Sequence, residues 1–145
     1  YDEEYSKCAT AQLPNVRILP FLDRMDLAYA AADIVISRAG ALTIAEICLL
    51  GKAAILVPSP NVAEDHQTKN ALSLTERKAA ILVKDQDAKA DLMATAINLL
   101  QDEKGRKALA QNAQLLAYPN AAEKIAREVL RLAKWEITNK PTTIN

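Results

Sequence analysis

Ser37-Arg38-Ala39-Gly40-Ala41-Leu42-Thr43-Ile44-Ala45-Glu46-Ile47-Cys48-Leu49-Leu50-Gly51 decides the fold of this chain. It follows the apolar run Asp33-Ile34-Val35-Ile36 and reads as a strand end, a tight turn and a helix start. In parallel α/β sheets that junction binds phosphates. The first helical turn leaves backbone N–H groups unpaired, and its dipole favours negative charge. Gly40 carries no Cβ, so phosphates can come close to the main chain there. Glu46 is the only charge between Arg38 and Lys52, in a helix otherwise built from Ala, Leu, Ile, Cys and Thr. A lone carboxylate on a buried helix needs a partner. A pair of sugar hydroxyls, a structural cap and a buried arginine are the alternatives.

Working outward, Val16-Arg17-Ile18-Leu19-Pro20, Ile34-Val35-Ile36, Ala53-Ala54-Ile55-Leu56-Val57 and Ala80-Ile81-Leu82-Val83 read as short strands. Asp23 is placed to cap a helix carrying Met25, Tyr29 and Ala32 on one face, and Gly51 fits a helix C-cap. A further helix begins near Asp65 or His66 and runs to about Arg77. Strands alternating with helices give an α/β, Rossmann-like parallel sheet flanked by helices. Right-handed crossovers bring the strand C-terminal ends and their loops to one edge. Beyond Val83 the pattern is helical. Leu92, Met93, Ala96, Ile97 and Leu100 form one stripe, Leu109, Ala113 and Leu116 a second, and Ile125, Val129, Leu132 and Ala133 a third. Residues 1–135 read as one domain and 136–145 as a tail. Four strands are few for a doubly wound sheet, and the chain starts at Tyr1 rather than Met, so the first strand or strands are expected to be missing.

The 145 residues, half of them hydrophobic, suit a single core. Eighteen basic and eighteen acidic side chains leave no net charge, which argues against a nucleic-acid partner. Cys8 and Cys48 lack metal-site spacing and read as reduced, inert thiols. No apolar run approaches the roughly 18 residues of a membrane span, and no signal-peptide pattern is present.

Three loops at the predicted edge carry polar groups. Pro20-Phe21-Leu22-Asp23-Arg24-Met25 follows the first strand and reads foremost as a capped strand–helix turn. The Gly40 turn is the second. In the third, Pro58 and Pro60 stiffen a loop leading to a helix whose first turn bears His66, Gln67 and Asn70. A lone histidine is more often structural than catalytic, although one at a helix start beside such an edge is better placed than most. Gln67 offers donors and acceptors suited to sugar hydroxyls. Asp85-Gln86-Asp87 precedes a helix and reads as a cap rather than a metal–nucleotide site.

Taken in order, Pro20–Met25 with Ala31-Ala32-Asp33, then Ser37–Glu46, then Val57-Pro58 and Asp65-His66-Gln67-Thr68-Lys69-Asn70-Ala71 resemble the MurG family. These are the peptidoglycan N-acetylglucosaminyltransferases that convert lipid I to lipid II. The resemblance implies a GT-B fold, with this chain forming most of the C-terminal domain that binds UDP-GlcNAc. It implies that the Leu22 backbone meets the uracil edge and that Ala41, Leu42 and Thr43 hold the diphosphate without a metal or other cofactor. Glu46 would accept the ribose hydroxyls, and Gln67, with His66 beside it, would face the GlcNAc. Many members carry Gln-Gln where this chain has His66-Gln67. Arg38 lies near the phosphates with no assigned contact. The lipid I acceptor site, the contact with the cytoplasmic face of the bacterial inner membrane and the proposed base belong to an N-terminal domain absent from this sequence, so the chain alone is expected to be inactive. Another UDP-sugar GT-B enzyme, the donor subunit of a split enzyme, and a non-catalytic nucleotide-sugar module are the alternative readings.

Overall fold

The computed structural model describes residues 5–61 and 65–133. Three strands pair in parallel in the order β1 (Val35–Ser37), β2 (Ala54–Leu56) and β3 (Ile81–Leu82). The register sets Val35 against Ala54, and Ile55 against Ile81. Between and after them run α1 (Met25–Ala31), α2 (Ala41–Leu50), α3 (His66–Thr75), α4 (Ala88–Gln101), α5 (Glu103–Leu115) and α6 (Ala121–Leu132).

The central strand explains the layering. Side chains alternate across a strand, and every residue of β2 is fully buried, so both faces must be covered. Ala54 and Leu56 join Ile47 and Cys48 of α2, Ala71 and Leu74 of α3 and Ala113 of α5 in one core. Ile55 points the other way and joins Val57, Val83, and Ala96 and Leu99 of α4. Helices therefore cover both faces, the arrangement that the apolar strands require. Gly51 ends α2 in the left-handed region at φ 58°, where the Lys52 N–H reaches the Ile47 carbonyl. Asp102 caps α5 by accepting from the Gly105 N–H at 2.8 Å.

Several expectations change. Residues 16–19 form no strand, and Ile18 and Leu19 stay exposed, so the predicted first strand is not in the sheet. A strand gains its stability from a ladder partner and a covered face, and this segment has neither among the described residues. Arg24, not Asp23, is the N-cap residue of α1, and its guanidinium pairs with Asp26 at 2.6 Å. Asp85 and Asp87 form a short 3₁₀ turn before α4 with no side-chain cap bond.

Helix α2 is buried on one face only, with Leu42, Leu49 and Leu50 outward. On α4 the buried face is Leu92, Ala96 and Leu99, while Met93, Ile97 and Leu100 face out. The α5 stripe packs as expected, through Leu109, Ala113 and Leu116. The α6 stripe of Ile125, Val129 and Leu132 remains exposed. The predicted tail, 136–145, lies outside the described residues, as do Val62, Ala63 and Glu64 of the third loop.

Candidate functional site

The parallel sheet places the loops after β1, β2 and β3 on one edge, with the Gly40 turn following the outer strand β1. Gly40 is the N-cap residue of α2 at φ −69° and ψ 145°, an extended conformation open to any residue, and it offers no side-chain cap. A Cβ at Gly40 would meet only Thr43 Oγ1, at 3.9 Å, an ordinary contact. The fold therefore does not itself demand glycine here. The Ile44 N–H is the first in the helix to find a carbonyl, that of Gly40. The N–H groups of Ala41, Leu42 and Thr43 precede it at the positive end of the helix dipole, where an anion is favoured. Ala41 and Leu42 are exposed, with Leu42 75 % accessible, and Thr43 is half-buried.

Glu46 lies one turn further along α2, half-buried, and it has a protein partner. The Tyr29 hydroxyl donates to its Oε2 at 3.0 Å. That contact answers the question of the lone carboxylate differently from the cap or arginine alternatives. Tyr29 is 6 % exposed, and burial, followed by the hydrogen bond to Glu46 and its negative charge, pushes the phenol up to about 12. The phenol thus stays a donor across the physiological range. The same bond ties α1, and the Leu22 loop that leads into it, to α2. Leu22 itself is exposed.

The third loop is joined to the second by side chains of α3. Asn70 Nδ2 donates to the Ala39 carbonyl at 3.2 Å, holding the N-terminal half of α3 against the Gly40 turn. The Ser59 N–H donates to Gln67 Oε1 at 2.8 Å, which leaves the Gln67 Nε2 donors for a ligand. His66 is the exposed first residue of α3. Asp65, just before it, occupies the left-handed region at φ 56°. Arg38 donates to the Val57 and Pro58 carbonyls and pairs with Asp85.

Ala41, Leu42, Thr43 and Glu46 thus share one helix, and Gln67 is linked to their turn through Asn70. Tyr29 and Asp85 escaped the sequence reading as site-forming residues, and Asn70 entered it only through its grouping with His66 and Gln67. A groove of about 760 Å³ borders this edge and shares Ala41, Leu42 and Glu46 with it, continuing between Ser73, Leu115 and Tyr118. Burial pushes the thiol of Cys48, on its wall, above its ordinary range. Among the described residues no group of three or more His, Cys, Asp or Glu side chains is placed to hold a metal. No helix among them is long and apolar enough to cross a membrane.

Comparisons with known proteins bear on the family and the fold. The chain is 54 % identical over 128 residues to the UDP-N-acetylglucosamine--N-acetylmuramyl-(pentapeptide) pyrophosphoryl-undecaprenol N-acetylglucosamine transferase of Bacteroides thetaiotaomicron, covering 88 % of this chain and 34 % of that protein. The transferase of the same name from Parabacteroides distasonis is 52 % identical over 133 residues, covering 88 % and 36 %. The crystal structure of Acinetobacter baumannii MurG superposes with a TM-score of 0.78 at 31 % identity, over 90 % of this chain and 40 % of that one. The chain spans about a third of the length of the curated relatives it matches. The profile described as the glycosyltransferase family 28 C-terminal domain matches residues 1–129, and the chain belongs to that family.

Proposed function

We propose that this chain is the donor-binding domain of an inverting glycosyltransferase that moves GlcNAc from UDP-GlcNAc to lipid I, giving lipid II for peptidoglycan. The observation that carries the reading is the start of α2. A glycine that the fold does not require precedes three unpaired N–H groups, with a carboxylate one turn beyond. In this reading the diphosphate rests on the N–H groups of Ala41, Leu42 and Thr43, and no metal is needed to hold it. Glu46 Oε1 accepts from the ribose while Oε2 keeps its bond from Tyr29. The Leu22 backbone meets the uracil edge, and Gln67, beside His66, reads the sugar hydroxyls.

The acceptor hydroxyl attacks the anomeric carbon from the face opposite UDP, and negative charge grows on the departing diphosphate. Fixed dipoles aimed at that charge lower the barrier without reorganising. The base that takes the acceptor proton, the lipid I site and the contact with the cytoplasmic face of the inner membrane belong, in this proposal, to polypeptide outside these residues. The binding unit is residues 1–135, with 136–145 as a tail. The chain by itself binds donor and does not transfer GlcNAc.

Calorimetric titration of UDP, UDP-GlcNAc and UDP-glucose into the chain tests this. Binding is expected for UDP and UDP-GlcNAc, with UDP-glucose weaker, and Glu46→Ala should weaken all three. Equal affinity for the two sugars would favour a broader UDP-sugar enzyme. A Glu46→Ala variant that binds UDP as the parent does would remove the ribose assignment. Transfer to a lipid I analogue by the chain alone would overturn its role as a donor half.

A further inference from the structure

Arg38 stands one residue past β1, yet its guanidinium reaches the ends of the other two strands. Its Nη1 donates to the carbonyls of Val57, at 3.2 Å, and Pro58, at 3.4 Å, just beyond β2. The same nitrogen pairs with the Asp85 carboxylate, just beyond β3. All three contacts are made by Nη1, which thereby faces protein acceptors rather than the start of α2. Its contacts instead fall on the backbone leading into Ser59, whose N–H holds Gln67 Oε1.

We propose that Arg38 is a positioning residue rather than a phosphate ligand, with Asp85 as its anchor. The pair clasps the three strand ends and, through Pro58 and Ser59, orients the Gln67 amide that reads the donor's sugar. This rests on the UDP-sugar reading of the site. It gives Asp85 a purpose that neither helix capping nor metal binding supplies. The clasp acts on the sugar end of the donor and leaves the diphosphate to the backbone of α2.

Asp85→Asn keeps the shape of the anchor and removes its charge, and Arg38→Gln removes the clasp itself. The affinities of UDP and UDP-GlcNAc are measured by calorimetry, and the exchange rate of the Ser59 amide proton by NMR. Both side chains are partly open to solvent, 54 % and 36 %, so each variant should weaken UDP-GlcNAc by about fivefold and UDP by less than about twofold. Ser59 exchange should quicken by a similar factor with or without nucleotide, and the double variant should be no worse than Arg38→Gln.

Arg38→Gln weakening UDP and UDP-GlcNAc alike, with Asp85→Asn like the parent, would overturn the proposal and make Arg38 a diphosphate contact. If the parent binds neither nucleotide, the UDP-sugar reading fails, and the clasp is judged on Ser59 exchange alone. A parent-like rate in Asp85→Asn then refutes it. Should Arg38→Gln fail to fold, Asp85→Asn alone decides by the same two readouts.

Discussion

Replacing Tyr29 by phenylalanine removes one oxygen and leaves Glu46 without its protein partner. The ring is 6 % exposed and packs in the larger core, so phenylalanine keeps the apolar contacts. What is lost is a hydroxyl donating to a carboxylate at 3.0 Å. Hydrogen bonds to charged groups contribute about 1.5–3 kcal/mol, and water reaches the half-buried Glu46, so the lower end, about 1.5 kcal/mol, applies. For a chain of this length each kcal/mol moves the melting midpoint by about 2–4 °C, giving a drop of about 3–6 °C. Thermal and urea denaturation followed by circular dichroism measure it. Glu46→Gln retains an oxygen acceptor for the phenol and should lose less. A Tyr29→Phe midpoint within about 1 °C of the parent would refute the reasoning, because Glu46 would then be as well served by water as by Tyr29.

The same contact sets a pH dependence. The folded chain holds the Tyr29 proton up to about 12, against 10.0 for an ordinary tyrosine. Between those values the native state binds more protons than the unfolded one, so stability is full below pH 10 and falls as pH rises toward 12. Urea midpoints across that range should show the decline in the parent and a shallower one in Tyr29→Phe. Leu56→Ala empties a fully buried position of the central strand and should cost about 2–5 kcal/mol in the same assay. Gly40→Ala has room in the fold for its one added carbon, so its stability should change by no more than about 1 kcal/mol, whereas UDP affinity should fall by about tenfold. A Gly40→Ala chain that titrates like the parent would show that nothing approaches that turn.

What the sequence made legible was local. The runs at Val35, Ala54 and Ile81 are continuous and apolar because the sheet is covered on both faces. Gly51 is required by a positive φ, and the start of α3 follows from the polar loop before it. What it hid depends on distance along the chain. Tyr29 and Glu46 are 17 residues apart, and Arg38 and Asp85 are 47 apart, so neither pair has a local signature. The α4 stripe was misplaced because 3.6-residue periodicity gives a face but not which neighbouring residues within it turn inward. Met93 proves 69 % exposed while Leu99 packs. Val16–Leu19 has strand-like composition, but a strand is defined by its partner, and composition does not supply one.

In the proposed site the first turn of α2 is an anion seat for a uridine diphosphate donor. Backbone amide chemical shifts of Ala41, Leu42 and Thr43, followed as UDP-GlcNAc is added, test it most directly. These three amides should move first and furthest, saturating together with Gln67, and uridine without phosphates should leave them nearly still. Amides of the α2 start that stay unmoved while the chain binds UDP-GlcNAc elsewhere would contradict it.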